Sequence, residues 1–241
     1  MLRRDLLIVG AAFAVAIAIP PILRRRARTF DFVDLEGFPG FRRLDVGRIS
    51  GGVNLFAGLD GPAPAAPEGS LCDMLFGPGE MQDNRLPIAV FSDVNCPNCR
   101  VVEARLERMV QVGTPIRLIY HPLPLLGPNS VWAAKVILAA GLQGAGQAMH
   151  RDLMKVILRP GPAAVREAAA RHGLDGDRLW SDARGSQVQA VLNDSLGLGA
   201  ALGIPGTPGM MIGRTLVIGA MAERDLVRLI ELERELPPPS C

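Results

Sequence analysis

Cys96 and Cys99 stand two residues apart in a chain of 241 residues that holds only two other cysteines, Cys72 and Cys241. A Cys-x-x-Cys pair can ligate a metal, be buried without a role or exchange disulfides. A structural zinc site wants a second Cys/His pair at close spacing. The histidines, His121, His150 and His172, are dispersed and offer none, so no metal is expected. Four cysteines in a chain this long do not describe a disulfide-stapled mini-protein. Exchange is the chemistry expected of the pair where it stands at a strand-to-helix junction. It needs one sulfur held as a thiolate and a second sulfur in reach to resolve a mixed disulfide.

The surrounding sequence supplies a place for that thiolate. Leu86–Ser92 is an apolar run of strand length. From Pro97 to Val112 the apolar residues Val101, Val102, Leu106, Met109 and Val110 recur at helical spacing. The cysteines therefore fall where a strand ends and a helix begins. Unpaired N–H groups and the positive end of the helix dipole stabilise an anion there. Cys96 is expected at the exposed tip as nucleophile, and Cys99 one turn in as resolving thiol. Pro97 suits a first helical turn because it needs no N–H partner. Asn98 adds no positive charge. Pro97 and Asn98 are thus expected to support the pair.

Pro115–Tyr120 reads as a second strand and completes a strand–helix–strand unit, whose right-handed connection makes the strands parallel. Residues 129–202 are helical in pattern, with four helices expected near 129–143, 145–158, 162–172 and 186–202. Strands return at Gly209–Ile212 and Thr215–Ile218, with Gly213-Arg214 as a two-residue hairpin turn. A last helix is expected from Ala222 to Glu235. The order β-α-β, helical block, β-β-α is an α/β chain of thioredoxin-like fold with a helical insertion.

With those elements placed, three segments carry a resemblance. Phe91-Ser92-Asp93-Val94-Asn95-Cys96-Pro97-Asn98-Cys99-Arg100 resembles the active-site segment of the DsbA-like family of thiol–disulfide oxidoreductases. The stretch from His121 to Ser130, then Ala133-Ala134 and Gln143-Gly144, resembles that family's second strand and the entry to its insertion. The stretch from Gly203 to Gly213 resembles its cis-proline loop. The resemblance covers residues 86–235. It implies disulfide formation or exchange in exported proteins without a bound cofactor. It also implies a cis bond at Thr207–Pro208, with the Thr207 backbone beside the cysteines and free to pair with an extended substrate segment. Two departures stand out: Asn98 occupies a position where the family often has an aromatic residue or His, and Val90 stands where many thioredoxin-fold proteins bury a carboxylate. Asp93 is expected to cap the helix. Cys72 and Cys241 could pair, relay electrons or stay free.

Residues 1–28 form a targeting or anchoring segment, with no charge between Leu6 and Leu23, arginines on both flanks, and Pro20-Pro21 near its end. It reads as an uncleaved anchor, a cleaved signal or a buried helix. Arg3-Arg4-Asp5-Leu6-Leu7 resembles a twin-arginine signal, which implies a periplasmic destination. Residues 29–85 carry turn residues throughout and are expected to be an irregular segment docking on the domain at 86–241. Net charge is +2 and the basic residues form no stripe with aromatics, so nucleic acid is not an expected partner. The expected partners are exported proteins with cysteines, a membrane redox partner, and the membrane itself through the N-terminal segment. Two other functions fit the same fold: a binding or maturation factor that uses its groove without turnover, and a glutathione-dependent transferase or isomerase.

Overall fold

The structure is a computed structural model that describes residues 30–51, 69–78 and 84–237. Segment 1–28 lies outside the described residues, as do residues 52–68 of the turn-rich segment and Cys241. Among the described residues no helix is long and apolar enough to cross a membrane. The chain divides after Phe32, and the unit from Val33 to Cys241 carries the fold.

Among the described residues six strands form one mixed sheet in the order β1-β2-β6-β5-β3-β4. They are β1 (Val33–Asp34), β2 (Arg42–Asp45), β3 (Leu86–Ser92), β4 (Ile116–Pro122), β5 (Gly209–Ile212) and β6 (Thr215–Ile218). β3 is apolar almost throughout because it lies between two strands and is covered on both faces. It runs parallel to β4, with Leu86 opposite Ile116 and Ser92 opposite Pro122. β5 and β6 form the expected hairpin, with Ile212 opposite Thr215 and Gly213 at φ 54° in the turn. Gly213 takes that left-handed angle without the steric cost a side chain would add.

Among the described residues the helices are α1 (Leu71–Phe76), α2 (Pro97–Gln111), α3 (Pro128–Gly141), α4 (Gly146–Leu153), α5 (Pro162–Arg171), α6 (Gly176–Asp182), α7 (Ser186–Ala201) and α8 (Glu223–Arg234). The insertion thus holds five helices where four were expected. The additional one, α6, is a seven-residue helix capped by Asp175, whose side chain accepts from the N–H groups of Asp177 and Arg178. The apolar face of α2 is narrower than its sequence suggests. Val102, Leu106 and Met109 are buried, but Val101 and Val110 are 49% and 40% exposed.

The expected irregular segment is partly sheet. β2 pairs in parallel with β6, Arg42 opposite Thr215 through Asp45 opposite Ile218. Its anchor is polar: Arg42 Nη2 donates to Glu233 Oε1 at 2.6 Å, and Thr215 Oγ1 donates to the same oxygen at 2.6 Å. Further along, α1 lies against the sheet with Leu75 and Phe76 fully buried. Its last carbonyls are met by His121 Nε2 at 2.9 Å and by Arg117 Nη1 at 3.3 Å. Cys72 on this helix is disulfide-bonded, whereas Cys96 and Cys99 are free.

Two apolar clusters fill the interior. One joins the sheet to α1 and α7 through residues such as Phe91, Leu75, Leu192 and Leu196. The other lies among the inserted helices, and Cys96 and Cys99 belong to it. Helix α3 is the wall between them, with Ala134 in the first cluster and Ala133, Val136 and Ile137 in the second.

Candidate active site

The cysteines sit at the junction the sequence indicated. Cys96 is the N-cap of α2, in extended conformation at φ −81° and ψ 116°, and Pro97 opens the helix. Its Sγ accepts the Cys99 N–H at 3.1 Å, so the sulfur does the work usually given to a Ser or Asp cap. Asp93 does not cap the helix, contrary to expectation. Its carboxylate instead accepts from the N–H of Asn95 at 2.9 Å and of Leu126 at 3.0 Å, which ties the loop before α2 to the loop after β4. Burial raises the Asp93 pKa, against those hydrogen bonds.

The two thiols are driven apart. Cys96 falls to about 6, first through the hydrogen bond from Cys99, with the hydroxyls of Ser50 and Thr207 and the Cys99 N–H acting in the same direction against burial. Cys99 is raised far above an ordinary thiol, first by burial and then by its hydrogen bond to Cys96 and the charge there. One sulfur is therefore a thiolate near neutral pH while its neighbour keeps its proton.

Opposite the cysteines lies the loop Ile204–Pro208. The Thr207–Pro208 bond is cis. The Thr207 carbonyl is 3.6 Å from Cys96 Sγ, so the loop expected beside the pair is there. Two expectations fail at this point. Cys96 was expected at an exposed tip, yet both Cys96 and Cys99 are 0% exposed. The Thr207 backbone was expected to be open, yet Ser50 pairs with it on both sides. The Ser50 N–H donates to Thr207 O at 2.7 Å, and the Thr207 N–H donates to Ser50 O at 2.8 Å. The Ser50 hydroxyl also accepts from Asn98 Nδ2 at 3.0 Å. Asn98 thus supports the site by holding Ser50. Nothing in the turn-rich sequence around Ser50 marks it out; only the fold brings it here.

Beneath the pair is a polar group the sequence reading missed. Glu103, four residues after Cys99 on α2, is 4% exposed. Ser92 Oγ donates to its Oε1, and His150 Nε2 lies 2.6 Å from its Oε2. The His150 ring stacks on Tyr120 at 4.3 Å, and the Tyr120 hydroxyl donates to Glu107 at 2.7 Å. A carboxylate on the apolar stripe between Val102 and Leu106 was the available signal. His150 is therefore a buried partner of a carboxylate that links α4 to α2. His121, at the end of β4, is hydrogen-bonded to Leu75 O; it stacks on Phe91 at 4.9 Å, and burial lowers its pKa. His172 lies 3.3 Å from Asp152. Trp132 and Trp180 meet edge to face at 5.2 Å beside the insertion cluster.

Comparison with known proteins agrees with this geometry. Residues 87–231 match the family model described as DSBA-like thioredoxin domain. A thioredoxin-like oxidoreductase from Silicibacter pomeroyi DSS-3 is 30% identical, with a TM-score of 0.61 over 68% of this chain and 98% of that one. A periplasmic thioredoxin-like protein from Salmonella enterica serovar Typhimurium shares the fold at 23% identity, with a TM-score of 0.58 over 70% of this chain and 99% of that one. The thiol–disulfide exchange protein alpha-DsbA2 from Wolbachia pipientis shares it at 22% identity and a TM-score of 0.55, over 61% and 81% of the two chains. Among curated proteins, Na(+)/H(+) antiporter NhaA 3 of Salinispora tropica is 30% identical over 138 residues, which is 55% of this chain but only 21% of the antiporter. The chain thus matches about a fifth of that relative's length, too little to bring its transport activity here. The family match spans more than half of the residues and contains the cysteine pair, the inserted helices and the cis-proline loop, and so this chain belongs to the DSBA-like thioredoxin domain family.

Proposed function

We propose that this protein is a thiol–disulfide oxidoreductase acting on exported proteins, with Cys96 as nucleophile, Cys99 as resolving thiol and the Thr207–Pro208 loop as the substrate edge. The observation that carries this reading is the split between the two thiols: Cys96 at about 6, Cys99 far above the ordinary thiol range. The split sets both steps of exchange. In the oxidised protein a substrate thiolate attacks Cys96 Sγ of the Cys96–Cys99 disulfide. The sulfur–sulfur bond breaks, Cys99 leaves and takes up a proton, and a mixed disulfide forms. A second substrate thiolate attacks the substrate sulfur of that bond and expels Cys96. The substrate's two thiols become a disulfide, and the pair gains two electrons. Cys96 leaves readily because its thiolate is stable. The reverse sequence reduces a substrate disulfide, with Cys96 attacking and Cys99 resolving.

A Cys96 value near 6 lies between the thiolate affinities of about 7 for thioredoxin and about 3.5 for DsbA. The reduction potential of the pair is expected between about −270 and −120 mV, the values of those two proteins. Export through segment 1–28 and a periplasmic workplace belong to the same proposal, supported by its arginine-flanked apolar run. The test is exchange by the full chain on reduced and disulfide-bonded peptides. Cys96→Ser should abolish it, and Cys99→Ser should accumulate mixed disulfides at Cys96. Faster alkylation of Cys99 than of Cys96 near neutral pH would reverse the assigned roles.

A further inference from the structure

The segment that closes the site has the form of a substrate. After β2 the chain does not leave the sheet at once. The Val46 N–H donates to Ile218 O at 3.0 Å, and the Ala220 N–H donates to Arg48 O at 3.0 Å. Between these bonds the backbones of Gly47 and Gly219 touch: a Cβ on Gly219 would lie 2.6 Å from Gly47 O. The chain is thereby aimed at the cis-proline loop, where Ser50 makes an antiparallel bridge with Thr207. Ile49 packs on Gly206, and Gly51 sits against Leu125 and the Gly206 backbone.

The pairing with Thr207 is the one that an extended client would make. Strand addition uses both backbone groups of the edge residue, and Ser50 takes both groups of Thr207. The Ser50 hydroxyl then accepts from Asn98 Nδ2 at 3.0 Å, on a residue between the two cysteines, and it is among the groups that lower the Cys96 thiol. Serine is cysteine with oxygen in place of sulfur. It can occupy the position of a client cysteine but cannot form a disulfide.

We propose that Ile49-Ser50-Gly51 is an internal pseudosubstrate, with Ser50 Oγ in the place of the client sulfur, and that a client must displace it to reach Cys96. The proposal rests on the reading of Thr207 as the substrate edge. It also defines the client: an extended segment that pairs with both backbone groups of Thr207 and brings its cysteine to the position of Ser50. Residues that flank the client cysteine need supply no charge.

The test uses the full chain. In the Cys99→Ser background, Ser50→Cys is treated with glutathione disulfide, which accepts two electrons and leaves as two glutathione thiols. The expected product is a monomer that has lost two hydrogens, with peptides 49–51 and 96 joined in a digest. Arg48→Cys in the same background is the control and should join poorly. Separately, Ser50→Pro removes the N–H that pairs with Thr207 O and should raise the rate of Cys96 alkylation by about fivefold over Ser50→Ala, which lacks the hydroxyl alike but keeps that N–H, the equivalent of one hydrogen bond, with the thermal transition retained. No preferential joining in the first experiment, or an unchanged alkylation rate in a folded second variant, overturns the pseudosubstrate. Peptide exchange by the wild-type chain is measured alongside. If exchange persists while both results are negative, only the pseudosubstrate falls; if exchange is absent, the catalytic reading falls first.

Discussion

At the scale of single residues, Cys96 has two occupations that meet on one sulfur. It caps α2 by accepting the Cys99 N–H, and it is the group whose charge the helix end favours. The pH dependence follows. In the reduced protein the folded value is about 6, against about 8.5 for an unfolded cysteine. A depressed acid adds stability above the unfolded value and loses it as pH falls through the folded one. Between pH 5 and pH 8 the reduced form should therefore gain roughly 2–3 kcal/mol relative to the oxidised form, in which neither of the pair titrates. Denaturant unfolding of both forms at the two pH values measures this gain. An equal difference at both would mean that Cys96 is not a thiolate near neutrality. The chemistry of this pair was legible in Cys96-Pro97-Asn98-Cys99 because a strand-to-helix junction is a local pattern. Ser50 was not, because its importance comes from a bridge to Thr207, a residue 157 positions away in the chain.

Among the elements, β2 was the hardest to foresee. Arg42-Arg43-Leu44-Asp45 offers a single apolar side chain, and nothing in it alternates as a half-buried strand should. Its place is fixed from outside, by the open edge of β6 and by Glu233 on α8. Glu233 is 4% exposed and also accepts the Arg214 N–H at 3.0 Å, so it joins β2, the hairpin turn and α8 at one carboxylate. Glu233→Ala should cost about 3 kcal/mol in denaturant unfolding, since it removes the buried acceptor shared by Arg42, Thr215 and the Arg214 N–H. It should also speed Cys96 alkylation, because the chain covering the site continues from β2. Loss of stability with no change in alkylation would show that β2 does not hold the cover. Helix α6 escaped notice for the opposite reason. Its cap, Asp175, was visible, but seven residues hold too few turns to display a period. The hairpin at Gly213-Arg214 and the turn to α2 were readable because glycine and proline announce them locally.

For the molecule as a whole, the division of the interior into a sheet core and an insertion core sets where damage spreads. Leu179 is fully buried in the insertion core, and Leu196 in the sheet core. Leu179→Ala and Leu196→Ala should each cost roughly 3 kcal/mol. The wall they share, α3, is buried on both sides, so the two losses should appear in one cooperative transition. Two separate transitions for either variant would mean that α3 does not couple the cores. The buried Glu103–His150 contact is the polar counterpart of that wall, since it links α2 under the cysteines to α4 in the insertion. The protein's two tryptophans give this partition an optical consequence. Trp132 and Trp180 both border the core that contains Cys96 and Cys99, and no indole borders the other. Intrinsic fluorescence is therefore a signal from one side of the molecule: it should change when the thiols are oxidised or the insertion loosens, and stay silent while the far strands fray.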